Sequence, residues 1–144
     1  QNWSWFEPSQ GQEKYQEAIE KVDAYWDDHL AAGKRLNKPI VLEEFGIARD
    51  NSSFDPEEST VWRDRFFEHL FEKVTTSILN GDVVKGLNFW SYSGTVKPPR
   101  PGEYWRVGDD FTGDPPHELQ GWYGVYDTDL STLELIKRYS SKLE

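Results

Sequence analysis

Apolar residues recur along this chain with two different periods. Tyr15, Ala18, Ile19, Val22, Trp26 and Leu30 fall at i, i+3, i+4 spacing, which gathers side chains on one face of a helix. The spacing predicts a helix over 12–32, with Gly33 as its stop. Trp62, Phe66, Phe67, Leu70, Phe71, Val74 and Ile78 repeat the pattern. That second helix is expected to open at Asp55 as N-cap, with Pro56 in the first helical position, and to end at Asn80-Gly81. A third opens at Ser131, where Ser131 and Glu134 have capping-box spacing, with Leu133, Ile136, Tyr139 and Leu143 as its apolar side. Between the helices lie two short runs of strand character, Ile40-Val41-Leu42 and 83–90. The first residues read as a loop, as does the long Pro-, Gly- and aromatic-rich stretch 91–120, whose length marks a functional segment.

Strands alternating with helices of this length predict parallel pairing and an α/β architecture. Two parallel strands with three helices leave both sheet edges and one sheet face uncovered, so they do not make a self-sufficient domain. A complete (β/α)8 barrel needs about 250 residues. The chain therefore reads as the back end of one: a single C-terminal half-barrel piece over 1–144.

The chain's 144 residues suffice for a core, and its net charge of -10 argues against nucleic acid and anionic membranes as partners. It has no Cys, which rules out disulfide and thiolate chemistry. No long apolar run or signal-peptide pattern occurs, so any targeting segment is expected outside these residues. Seven Trp, seven Tyr and eight Phe are many for so acidic a chain. Such a composition suits a surface that stacks on flat neutral rings such as sugars, with about half of the aromatics filling the core.

The candidate chemistry lies in KPIVLEEFG, 38–46, where an apolar strand runs into two carboxylates. Carboxylates resist burial unless paired or working. Strict alternation puts Ile40, Leu42 and Glu44 on one face and Val41, Glu43 and Phe45 on the other. In the second strand it groups Val84, Gly86, Asn88 and Trp90 against Val83, Lys85, Leu87 and Phe89. With the Glu44 and Trp90 faces turned into the barrel, both residues stand at C-terminal strand ends, where barrel enzymes keep their active sites. Glu43 then faces the helices and needs a donor there, such as an Arg. A lone Glu ending a strand is more often solvated than catalytic, and a lone Trp more often core. Together they have the parts to cleave a glycosidic bond: a carboxylate for the anomeric carbon and a ring for the sugar face.

These segments resemble glycoside hydrolase family 5. KPIVLEEFG is similar to the nucleophile strand of that family, the seventh of its barrel, in which the Glu before an aromatic and a Gly attacks; this maps to Glu44. GLNFWSYSG, 86–94, resembles the eighth strand, whose terminal Trp stacks beneath the sugar; this maps to Trp90, with Tyr92 beside it. QNWSW, 1–5, and GDPPHELQGWYGVYDTDLST, 113–132, resemble the loop after strand six and the approach to the last helix in the mannanase branch. The resemblance implies a retaining endo-β-1,4-mannanase, secreted or periplasmic, acting on β-mannan when its barrel is whole. It also implies that the acid/base Glu, which follows strand four, is absent from this chain. The chain alone is then expected to be inactive and to associate with the missing N-terminal part or with itself. A β-1,4-glucanase of the same family and a non-catalytic carbohydrate-binding module are the alternatives.

Trp3, Trp5, Trp105 and Trp122 are candidates to line sugar subsites, with packing of their loops as the other reading. Asp109, Asp110 and Asp114 fit no standard calcium loop, and a solvated acidic loop is expected. His29, His69 and His117 have no metal-ligand spacing, so neither metal nor cofactor is expected.

Overall fold

The computed structural model describes residues 5–144. After a short 3-10 turn at Pro8–Gln10 come helix α1 (Gly11–Leu36), strand β1 (Ile40–Phe45) and helix α2 (Val61–Leu79). Strand β2 (Val84–Phe89), two short strands, β3 (Tyr92–Gly94) and β4 (Val125–Tyr126), and helix α3 (Leu130–Ser140) follow. β1 pairs with β2 and β3 with β4, both in parallel. Among the described residues, each pair is a sheet of its own.

Helices cover one face of the β1–β2 pair. Phe45, Leu42, Leu87 and Phe89 pack with Phe66, Phe67, Leu70 and Phe71 of α2, with Ile19 and Val22 of α1 and with Tyr139 of α3. A second cluster joins Trp26, Val74 and Val84 to Ile40 and Leu42. The other face carries Val41, Glu43, Glu44, Lys85 and Asn88, all exposed.

This corrects the expected facing. Ile40, Leu42 and Val84 turn to the helices, not into the barrel, because the helices offer the apolar partners. Strict alternation fails because the two strands do not advance in step. From Leu42–Leu87 to Phe45–Phe89, β1 takes three residues to the two of β2. The extra residue is a bulge at Glu43-Glu44. Phe45 thereby returns to the helix layer, and both carboxylates stay on the open face.

Helix ends also differ from expectation. Gly33 lies inside α1, and the helix stops at Asn37, whose left-handed backbone (φ 51°, ψ 47°) supplies the break. Gly33 has a packing role instead: a Cβ there would meet Val83 Cγ2 at 3.0 Å and Ile40 Cγ2 at 3.1 Å. Helix α2 begins at Val61, later than Asp55. The acid that receives its first N–H groups is Asp50, from Val61 at 3.1 Å and Trp62 at 3.0 Å. Asp55 instead closes a local turn by accepting from the Glu57 N–H. Helix α3 opens at Leu130 with Asp129, not Ser131, in the N-cap position, while the Ser131 hydroxyl donates to Asp64. Leu143 lies beyond the helix and is exposed.

Asp129 makes the main polar junction. Arg49 Nη2 reaches both of its oxygens, at 2.8 and 2.7 Å, while Arg63 Nη1 stands 3.5 Å away. All three side chains are buried. Arg49 also donates to the Glu58 carbonyl, and Arg63 to those of Ile47 and Gly124. Burial, then the neighbouring Arg49, pulls the Arg63 guanidinium down to about 10, still charged at neutral pH. Removing one partner from a buried ion cluster strands the others. Asp129→Ala should lower the unfolding free energy by about 3–5 kcal/mol, read as a fall in the urea midpoint. Glu17→Ala, which loses only an exposed partner of Lys14, should cost less than about 1 kcal/mol.

Candidate active site

At the open end of the β1–β2 pair the two predicted residues flank one rung. Phe45 is the register partner of Phe89, and its carbonyl accepts the Trp90 N–H at 2.7 Å. Glu44 precedes that rung and Trp90 follows it. Glu44 has a left-handed backbone, φ 55°, which costs a non-glycine residue about 1–3 kcal/mol and gathers at functional positions. Its side chain is exposed. Trp90 is half-buried, and its Nε1 has no hydrogen-bond partner among the described residues.

Glu43 also lies on this face. Its partner is Asn88 of β2, whose Nδ2 donates to Oε1 at 3.2 Å. No arginine from the helix layer is involved, because the bulge keeps Glu43 out of that layer. Asn88 was not singled out from the sequence. The signal available was its place two residues before Trp90.

A groove runs along the edge of β1 that pairs with no strand among the described residues. It has a volume of about 380 Å³ and is lined by Trp5, Tyr25, Trp26, Val41, Glu43 and Phe45, among others. Trp5 sits edge-on to Tyr25, with ring centroids 6.1 Å apart, and packs against the main core. Trp3 lies outside the described residues.

The remaining candidates are spread along the loops. Tyr92 is exposed on β3, and its hydroxyl donates to Asp127. Trp122 packs on Phe54 of the β1–α2 connection, centroids 4.5 Å apart, and so ties the long loop to that connection. Trp105 stacks on Phe111, centroids 5.1 Å apart and planes 10° from parallel. Its Nε1 donates to the Asp109 carbonyl at 3.0 Å. This cluster is a separate one on the loop and does not join Glu44 and Trp90.

The acidic loop is not simply solvated. Asp109 binds Arg100 and accepts the Arg106 N–H, and these contacts hold its carboxyl below the usual range. Asp114 is buried and accepts from Gly121 N–H at 2.7 Å and, more weakly, from Tyr123 N–H at 3.4 Å. Its role is to shape the return of the loop. Among the described residues, no three His, Cys, Asp or Glu side chains gather as metal ligands would.

The family model for "GH family 5 beta-mannosidase-like" proteins matches residues 1–144. The chain belongs to glycoside hydrolase family 5. Among solved structures it resembles a family 5 mannosidase from Rhizomucor miehei, with 33% identity and a TM-score of 0.84. A mutant of that mannosidase in complex with mannosyl-fructose is 31% identical, with a TM-score of 0.83. Each match covers 99% of this chain but 35% of the other. The fold is therefore that of part of a family 5 enzyme. The mannan endo-1,4-beta-mannosidase 5 of Arabidopsis thaliana is 29% identical over 73 residues, which are 51% of this chain and 15% of that protein.

Asp114 gives this region a pH signature. Burial pushes its carboxyl above the ordinary 3.8, outweighing the two N–H groups that favour the charged form. An acid with a raised folded pKa binds its proton more tightly in the folded state. Its contribution to stability is complete below the ordinary value and lost as pH rises through the raised one. Asp114→Asn should flatten that acid-side slope, measured as the urea midpoint from acid to neutral pH. An unchanged slope would assign it to other carboxylates.

Proposed function

We propose that the chain is the C-terminal piece, about strands seven and eight with helices six to eight, of the (β/α)8 catalytic domain of a secreted or periplasmic retaining endo-β-1,4-mannanase. Glu44 is the nucleophile and Trp90 the platform beneath the sugar. The observation that carries this reading is the shared rung. An exposed, backbone-strained carboxylate and an aromatic ring stand one residue either side of a single backbone pairing at the C-terminal end of parallel strands, where barrel enzymes work. The names of the relatives support mannan as the substrate.

In the first step Glu44 attacks the anomeric carbon. A bond forms from its carboxylate oxygen as the bond to the leaving sugar breaks, and the leaving oxygen takes a proton from a carboxylic acid. Water then attacks the same carbon and frees Glu44, with that second group acting as base. The second carboxyl must flank the scissile bond about 5–5.5 Å from the nucleophile. Glu43 cannot serve, because it shares the strand and the side of Glu44. As the resemblance to the family implies, the acid/base comes from outside these residues. The rest of the barrel covers the open face and fills the groove along β1.

Two measurements test the reading. In the complete enzyme, Glu44→Gln should cut turnover of mannan by at least about 10³-fold. Trp90→Ala should raise KM and lower turnover, with a loss of about 1–3 kcal/mol in transition-state binding. Wild-type kinetics in either variant would remove that residue from its role. Product sizes separate endo cleavage from release of single mannose units, and a parallel assay on β-1,4-glucan settles the sugar.

The isolated chain should neither hydrolyse mannan nor sediment as a stable monomer. It lacks a general acid worth about 10²–10⁴-fold, and its strand edges and groove are open to pairing. A well-folded monomer that releases reducing sugar would overturn the half-barrel reading.

A further inference from the structure

The Trp90-Ser91 unit is enclosed by two glycines. On one side the Trp90 N–H is tied to the Phe45 carbonyl at 2.7 Å. The Trp90 carbonyl oxygen lies so close over Gly46 that any Cβ there would overlap it. The same Cβ would stand 3.0 Å from Tyr123 Cδ1 and 3.4 Å from the Trp90 carbonyl carbon. The second glycine is Gly113, whose N–H donates to Ser93 Oγ at 2.9 Å. A Cβ on Gly113 would overlap Ser91 Oγ and stand 2.7 Å from Ser91 Cβ.

Neither glycine is needed for its backbone angle. Gly11, Gly81 and Gly108 have positive φ and open space around the missing Cβ, whereas Gly46 and Gly113 lie outside the positive-φ range. What the structure uses at these two positions is the missing methyl.

We propose that Gly46 and Gly113 are positioning residues for the glycosidase reaction: together they set the distance between the Glu44 carboxylate and the Trp90 ring. Gly46 is two residues from Glu44, so the strand that carries the nucleophile presses directly on the backbone of the platform. Gly113, from the long loop, packs against the side chain of Ser91, the residue joined to the platform, and so limits where that backbone can go. A methyl at either position displaces Trp90 relative to Glu44, and a shift of about 1 Å in such a pair costs about 10²-fold in rate. The proposal rests on the roles given above to Glu44 and Trp90.

The test uses the complete enzyme and mannan oligosaccharides. Gly46→Ala and Gly113→Ala should each lower kcat/KM by about 10–100-fold, with kcat falling, while the variants stay folded by circular dichroism. Ser91 Oγ is buried without a partner among the described residues, and removing the whole Ser91 side chain takes away both atoms that a methyl at 113 would overlap. The double variant Ser91→Gly/Gly113→Ala should recover at least about tenfold of the loss, a coupling that independent destabilisation would not give. If Gly46→Ala fails to fold, the Gly113 and Ser91 pair decides alone. Kinetics indistinguishable from the parent in folded glycine variants, or no recovery in the double variant, overturns the proposal and leaves the enzyme reading intact. A parent inactive on both β-mannan and β-1,4-glucan overturns the enzyme reading and the proposal with it.

Discussion

One carboxylate shared by two buried guanidiniums holds the loops of this chain together. Asp129 comes from the segment before α3, Arg49 from the connection after β1, and Arg63 from the first turns of α2. Two positive charges and one negative have left water, and their neighbours replace most of the solvation, Arg49 Nε and Arg63 Nη2 alone in the two guanidiniums having no partner among the described residues. The carbonyls of Ile47, Glu58 and Gly124 accept from the arginines, and the Tyr126 N–H donates to Asp129. Such a cluster adds little stability over an apolar core of equal volume. Its effect is directional: hydrogen bonds are satisfied in one arrangement only, so segments up to 80 residues apart have a single way to meet.

The strand ends inherit that order. Ile47, two residues past Phe45, is fully buried and has its carbonyl held by Arg63. Gly124 is gripped in the same way just before β4. Gly46, against the Trp90 carbonyl, is thus one short step from the ion cluster, and so is the Ser91 carbonyl, which accepts the Val125 N–H beside Gly124. Phe54 against Trp122 adds an outer tie between the same two connections. A rigid scaffold with working residues at its loops is how barrel enzymes reconcile stability with chemistry.

Features that arise within one helix were legible in the sequence. Tyr15, Ala18, Ile19, Val22 and Trp26 are buried as their period requires, and the parallel pairing follows from the order of elements. Features that arise between distant segments were not legible. The bulge exists only in the pairing of β1 with a strand more than 40 residues later, and it reversed the faces inferred for Ile40, Leu42 and Glu43. Gly33 looked like a helix stop because its use, close approach of Val83 and Ile40, lies outside the helix. Asp55 and Ser131 looked like caps on local spacing, but the positions were decided by Asp50 and Asp129, which are fixed by tertiary contacts. Glu44 and Trp90 could be paired from sequence because each ends its strand. The glycines around Trp90 could not be read, since a missing side chain has no pattern of its own.

The bulge also makes the placement of Glu44 a matter of length rather than chemistry. Where strands advance in step, a neighbouring residue can be lost only by turning the rest of the strand over. Here β1 already carries one residue more than β2 between Leu42 and Phe45, which offsets the one that β2 carries in excess between Val84 and Gly86. Excising Glu43 would restore even counting in that stretch, keep Phe45 with the helices and return Glu44 to a normal pleat opposite Asn88. The doubled carboxylate of EEFG thus acts as a spacer, and insertions and deletions at this point are a route, separate from substitution, by which such a strand end can change what it presents.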